Sequence, residues 1–256
     1  MSLKTERLTL GYGDRRVIEA LDLEIEAGRM TAILGPNGCG KSTLLRALAR
    51  LAAPMAGRVT LDGNDIHAIN TRALARRMAI LPQDPLAPDG VSVGDLVRRG
   101  RTPWRGFLSP WSDADARACA DALAAVAMTD LAERPLNELS GGQRQRAWLA
   151  LVLAQDTPLL LLDEPTTFLD LVHQLDLLSL LRKRNLETGQ TVVSVLHDLN
   201  LAARFSDALV LLGRNGIVAT GAPEAVLTSN NLKAAFGLSA RVDPDPVTGK
   251  PMVIPL

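Results

Sequence analysis

Several things are scarce in this 256-residue chain, and each scarcity excludes something. Lys plus Arg and Asp plus Glu number 28 each, so the formal net charge is zero. The basic excess of a protein that grips the nucleic-acid backbone is missing, and no nucleic-acid partner is expected. Only two cysteines occur, Cys39 and Cys119, which excludes a disulfide framework and fits a reducing compartment. No apolar run approaches the roughly 20 residues that cross a bilayer. The start, Met1-Ser2-Leu3-Lys4, leads into alternating polar and apolar residues rather than a secretory signal. A soluble, cytosolic chain is the expectation. Aromatics make up 3% of the residues, and Tyr12 is the single tyrosine. Apolar residues, by contrast, make up 47%, enough for one large domain or two small ones.

Short β-like runs alternate with helical stretches. Met30–Leu34, Arg58–Leu61, Met78–Leu81, Leu159–Asp163 and Thr191–Leu196 read as strands, and residues 42–51, 113–128, 143–155 and 171–187 as helices. Ser112 is placed to cap the second helix. Leu159-Leu-Leu-Leu-Asp163 is apolar without alternation, the pattern of a strand buried on both faces of a parallel sheet. The alternation predicts an α/β fold with helices around a mostly parallel sheet. The first 27 residues and the tail from about Ala208 are richer in strand, so an antiparallel β portion is expected. Residues 84–138 hold helices but no buried strand, which predicts an inserted helical subdomain. It includes the surface segment Arg101-Thr-Pro-Trp-Arg-Gly-Phe-Leu-Ser-Pro-Trp111, where Trp104, Phe107 and Trp111 gather.

Gly35-Pro36-Asn37-Gly38-Cys39-Gly40-Lys41-Ser42, followed by Thr43, fits G-x-x-x-x-G-K-[ST] between a strand and a helix. Glycines let the backbone wrap closely, so successive N–H groups and a helix N-terminus point at phosphate oxygens. Lys41 would reach the β- and γ-phosphates, and Ser42 would ligate Mg²⁺. Asp163 emerges at the carboxyl end of its strand, where ligands bind in open α/β sheets. It could hold Mg²⁺ through water, with Glu164 placed to polarise an attacking water. Cys39 lies inside the loop, so alkylation is expected to block ATP binding and ATP to protect the thiol.

Leu139-Ser140-Gly141-Gly142-Gln143 is the third motif. With the other two, in this order, it resembles the signature of ABC-transporter ATPase subunits, and the likeness extends over nearly the whole chain. The fold implied is a P-loop NTPase core, a mostly parallel sheet flanked by helices, with an antiparallel β portion and an inserted helical subdomain. One ABC-type domain would span residues 1–256, with a helical subdomain at about 84–150 that holds the signature. The resemblance also implies that two copies pack head to tail, so that Ser140, Gly141 and Gly142 of one contact the γ-phosphate held by the other. By position, Tyr12 followed by Gly13-Asp14 would stack on adenine, and Val17 would lie near the sugar. Gln83 would sense Mg²⁺ and connect to the helical subdomain. Asp170 would couple the two sites, and His197 would contact the γ-phosphate.

Thr166-Thr167-Phe168-Leu169-Asp170 followed by His173-Gln174, then His197-Asp198-Leu199-Asn200, resembles the subgroup serving ferric-siderophore, haem and vitamin B12 importers. The ending Asp245-Pro-Val-Thr-Gly-Lys-Pro-Met252 resembles siderophore-importer ATPases, particularly those for ferric catecholates such as enterobactin. The function implied is ATP hydrolysis that powers siderophore uptake at the cytoplasmic face of the inner membrane. Partners implied are a second copy, polytopic permease subunits and, indirectly, a substrate-binding protein. Haem or vitamin B12 import and a soluble, non-transport ABC ATPase are the alternatives. The Trp104–Trp111 segment either faces the permease or packs on its own subdomain.

Overall fold

The computed structural model describes residues 2–13, 15–85, 90–106, 109–214 and 216–256. Asp14, Phe107 and Leu108 lie outside the described residues. In chain order the elements are β1 (Leu3–Tyr12), β2 (Arg15–Ile25), β3 (Met30–Leu34), α1 (Lys41–Leu48), β4 (Ala56–Leu61), β5 (Asn64–Asp65), α2 (Thr71–Ala75) and β6 (Met78–Leu81). Then come α3 (Val93–Arg99), α4 (Asp113–Ala125), α5 (Gly141–Ala154), β7 (Leu159–Asp163), α6 (Leu171–Thr188), β8 (Thr191–Val195) and α7 (Leu199–Phe205). The tail carries β9 (Ala208–Gly213), β10 (Gly216–Gly221), α8 (Pro223–Val226), α9 (Ser229–Phe236), β11 (Ala240–Pro244) and β12 (Pro251–Pro255).

A six-stranded sheet runs β10-β9-β3-β8-β7-β6. Its pairs are parallel except for β9 with β10. A four-stranded antiparallel sheet, β2-β1-β4-β5, and a β11-β12 hairpin complete the β structure. Every residue of β3, β7 and β8 is buried, which explains why these strands do not alternate polar and apolar residues. Alternate residues of β7 serve two cores. Leu159 and Leu161 face α1 and the antiparallel sheet, while Leu160 and Leu162 face α3 to α7. Each fully buried leucine contributes about 1.5–3 kcal/mol relative to exposure, so the strand that ends in Asp163 is firmly held.

The register sets three carboxyl ends side by side. Ile33 pairs with Val195, and Val195 with Asp163. The loop after β3, the turn after β7 and the turn after β8 therefore emerge along one edge. Between β6 and β7, α3 and α4 pack on α5, and the described residues there form one isolated bridge, Ser92 with Pro135, and no strand. No helix among the described residues is long and apolar enough to cross a membrane.

Two helices stop before the sequence pattern does. The one expected over 42–51 ends at Leu48, and the one over 113–128 at Ala125. The stops are made by Arg50 (φ 60°) and Ala127 (φ 52°), both left-handed without being glycine. Leu51 N–H then bonds Arg46 O, and Met128 N–H bonds Leu123 O, the six-to-one closure of a Schellman ending. The helix expected from 143 starts at Gly141, because Ser140 and Gln143 form a reciprocal capping box. The tail holds helices α8 and α9 as well as strands.

Candidate nucleotide site

The loop between β3 and α1 wraps tightly. A Cβ on Gly40 (φ 102°) would lie 2.7 Å from Val17 Cγ1, and one on Gly35 2.6 Å from Leu212 O. Lys41 is 5% exposed, and its Nζ donates to Gly35 O (2.8 Å) and Pro36 O (3.0 Å). Ser42 Oγ donates to Asp163 Oδ1 at 2.9 Å. Burial pushes the Asp163 carboxyl above the usual carboxylate range. Cys39 is buried in the same loop, and desolvation raises its thiol pKa.

Glu164 takes a left-handed φ of 51°, which costs a non-glycine residue about 1–2 kcal/mol. This turn aims its carboxylate along the strand edge. Oε1 lies 2.7 Å from His197 Nε2. Oε2 accepts from Gln83 Nε2 at 3.0 Å and from Thr167 Oγ1 at 3.3 Å. Three elements distant in sequence thus converge on one carboxylate. Gln83, expected to sense Mg²⁺, donates to Glu164 in this structure.

Gly40, Lys41, Ser42, Gln83, Glu164 and His197 line a cavity of about 640 Å³ that also includes Asn37, Gly38, Thr43, Val17 and Tyr12. Tyr12 is 62% exposed, and its hydroxyl is 3.1 Å from Thr43 Oγ1, which sets the ring at the cavity mouth. Arg15 lines the same cavity. Sequence reasoning missed it; its signal would have been a cation just after the hairpin turn that carries Tyr12. Thr167 was also missed as a partner of Glu164.

The signature residues stand elsewhere. Leu139 is buried, and Ser140 caps α5: Gln143 N–H donates to Ser140 Oγ (3.2 Å), and Ser140 N–H to Gln143 Oε1 (3.0 Å). Ser140, Gly141, Gly142 and Gln143 line a second cavity of about 450 Å³ with Arg146, Phe168, Leu169, Asp170 and His173. Asp170 Oδ1 accepts from His173 N–H at 2.9 Å and lies 2.7 Å from His173 Nδ1. These bonds, the backbone one foremost, hold the Asp170 carboxyl below its usual range. The two cavities have no residue in common. A third, of about 360 Å³, lies between them and takes Gln83 from the first and Gly141 and Phe168 from the second.

The oxygen set at Ser42 and Asp163 fits Mg²⁺, which is held by one or two carboxylates with waters and substrate phosphates. Among the described residues no group of three or more His, Cys, Asp or Glu could hold a metal ion. The described Trp104 packs on its own surroundings: Nε1 donates to Gln155 O at 2.6 Å, and Arg76 and Arg101 lie over the ring at 5.3 and 5.4 Å.

A parallel sheet with a glycine-rich loop and helix N-terminus at one strand end, and a buried carboxylate at another, defines a P-loop nucleoside triphosphatase. The model of the ABC transporter family matches residues 18–167. A petrobactin import ATP-binding protein of Bacillus anthracis is 49% identical over 254 residues, covering 99% of this chain and 93% of the relative. A ferric enterobactin transport ATP-binding protein of Escherichia coli is 48% identical over 254 residues, covering 99% and 94%. A metal-chelate type ABC transporter solved in an inward-facing conformation superposes with a TM-score of 0.84 at 31% identity, covering 100% of this chain and 97% of that one. The chain belongs to the ABC transporter family, as one of its ATP-binding proteins, and is an ATPase.

Proposed function

We propose that this chain is the ATP-hydrolysing subunit of an importer that takes up a ferric siderophore across the cytoplasmic membrane. The observation that carries the hydrolytic role is the Glu164 carboxylate, held at once by His197, Gln83 and Thr167 beside the Ser42–Asp163 pair. The cargo reading rests on the likeness to petrobactin and enterobactin proteins across almost the full chain.

Lys41 and the amides of the Gly35–Ser42 loop bind the phosphates, releasing the Nζ contacts to Gly35 and Pro36 for contacts to the substrate. Tyr12 and Val17 receive the adenosine. Ser42, Asp163 and Gln83 would hold Mg²⁺, Asp163 through water, and that ion would supply charge neutralisation at the phosphates. Glu164 orients the attacking water and accepts its proton, and His197 stabilises charge on the transferring group, so the work is positioning and electrostatics. Ser140, Gly141 and Gly142 of a second copy supply the remaining donors. Asp170 couples the two sites.

The whole of residues 1–256 acts as one ATP-binding domain, and the helices within about 84–150 form a subdomain that Gln83 links to nucleotide state. That subdomain holds a short helix of a polytopic permease, itself served by a substrate-binding protein. The chain sits peripherally on the cytoplasmic face of the membrane. Uptake of radiolabelled ferric catecholate in cells lacking this chain tests the reading. Wild type should restore uptake and Glu164→Gln should not. Intact siderophore uptake in those cells, with cobalamin or haem uptake lost, would overturn the cargo.

A further inference from the structure

His197-Asp198-Leu199-Asn200 and the closing stretch Asp245–Met252 have no evident common purpose in the sequence, and the second lies outside the nucleotide cavity. The fold brings them together. The β11–β12 hairpin is closed by Asp245, whose Oδ1 accepts from Val247 N–H (2.7 Å) and Thr248 N–H (3.2 Å), while Asp245 N–H donates to Lys250 O (2.7 Å). Gly249, at φ 70°, completes the turn. Lys250 Nζ reaches Glu224 on α8 at 3.3 Å, and Ala240 and Val253 are buried. The hairpin is therefore stiff and seated on its neighbours.

Asn200 takes hold of it at two points. Val253 N–H donates to Asn200 Oδ1 at 2.7 Å, and Asn200 Nδ2 donates to Val253 O at 3.3 Å. The side-chain amide thus stands in for a neighbouring strand. Both backbone groups of Val253 point to Asn200, so Val253 is the non-hydrogen-bonded member of its pair with Val242. On the other side of Asn200, Asp198 Oδ1 accepts from Asn200 N–H and Leu201 N–H, each at 2.8 Å, and so starts α7. His197 immediately precedes this cap. Its side chain is 48% exposed, so packing alone does not fix the ring. Behind it, Leu196 N–H is bonded to Ile33 O at 3.2 Å. Ahead of it stands a seven-residue helix, too short to hold itself without outside contacts.

We propose that Asn200 is a positioning residue for His197, with the C-terminal hairpin as its anchor. The proposal rests on the reading of His197 and Glu164 as the hydrolytic pair. It gives both stretches a purpose: one carries the ring and the amide, and the other closes the hairpin whose Val253 the amide grips.

Turnover and KM for ATP of the full chain, assayed well below the measured Tm, test it in His197→Ala, Asn200→Ala, Val253→Pro and the His197→Ala/Asn200→Ala double variant. Val253→Pro removes the N–H that Asn200 accepts without taking a bond from the β11 ladder. Asn200→Ala and Val253→Pro should each lower kcat about three- to tenfold, with KM changed less than about twofold. In the His197→Ala background, Asn200→Ala should change turnover by less than about twofold, because residues that act through one another are not additive. Full turnover in Asn200→Ala beside an inactive His197→Ala overturns the proposal and leaves the hydrolytic reading standing. A multiplicative loss in the double variant also overturns it, since Asn200 then acts by another route. Full turnover in His197→Ala overturns the reading of His197 and the proposal with it.

Discussion

The cavity around Lys41 and the cavity around Gly141 are built on different principles. In the first, polar and charged side chains meet in a partly buried space, and three of them are already engaged: Lys41 with loop carbonyls, Ser42 with Asp163, Glu164 with His197, Gln83 and Thr167. In the second, the groups on offer are backbone amides. Those of Gly141 and Gly142 open α5 and have no acceptor within the helix. The first cavity presents Lys41, Ser42 and Glu164, the residues proposed to bind the anion, hold the metal and act as base. The second adds the N–H donors and dipole of a helix N-terminus, beside Arg146, Asp170 and His173. In the pairing proposed above, each is half of a hydrolytic site, and a second copy supplies the other half.

The largest effect expected separates the two at once. Glu164→Gln should bind ATP yet lose about 10²–10⁴-fold in turnover, the range for a positioned base. Near-normal ATP hydrolysis by that variant would remove the first cavity from the chemistry. A smaller loss, about 10²-fold, is expected for Gly142→Ala, the order found for removing or displacing one anion-stabilising donor. A Cβ there would lie 3.2 Å from Leu169 Cδ2 and crowd the opening of α5, while ATP affinity of the single chain stays unchanged. Mixing the two inactive variants sharpens the comparison. A mixed pair has one site with both lesions and one with neither, so turnover should reappear on mixing. No recovery, with pairing shown by sedimentation, would mean that both cavities act on the same nucleotide from one chain.

How much of this was legible depended on contiguity. Gly35–Ser42 and Leu159–Glu164 are unbroken in sequence, and their strand, loop and helix stand where the pattern puts them. The antiparallel sheet was visible as a strand-rich start but not as a register, since its β1–β2 pairing shifts three times. Helix ends at Arg50 and Ala127 escaped because left-handed residues there lack the glycine that announces them. The meeting of Gln83, Glu164 and His197 spans nearly half of the chain, so no spacing rule could yield it; family resemblance supplied the residues, and the parallel register supplies the reason. Thr167 and Phe168 escaped for a related cause. Their places follow from the left-handed turns at Glu164 and Phe168 itself, which no local pattern encodes.

The smallest effect concerns thiols, and it probes how closed the first cavity is relative to the second. Cys39 looks exposed in the sequence, inside a loop that binds substrate. In the fold it is buried, and desolvation outweighs the favourable field of Lys41, so the thiol stays protonated above the ordinary range. Cys119 is likewise buried, with its thiol raised by burial. A thiolate is the reacting species, so both native cysteines should alkylate slowly at neutral pH. ATP then has little reactivity left to protect. Ser140, by contrast, is exposed at the N-terminus of α5, where the helix dipole favours a thiolate. Ser140→Cys should therefore label at least about tenfold faster than Cys39 at neutral pH. Raising the pH should narrow that gap, because Cys39 gains thiolate at pH values where the introduced cysteine is already ionised. Equal rates at neutral pH would show that the phosphate loop opens as readily as the signature, and the contrast between a packed half-site and an open one would fail.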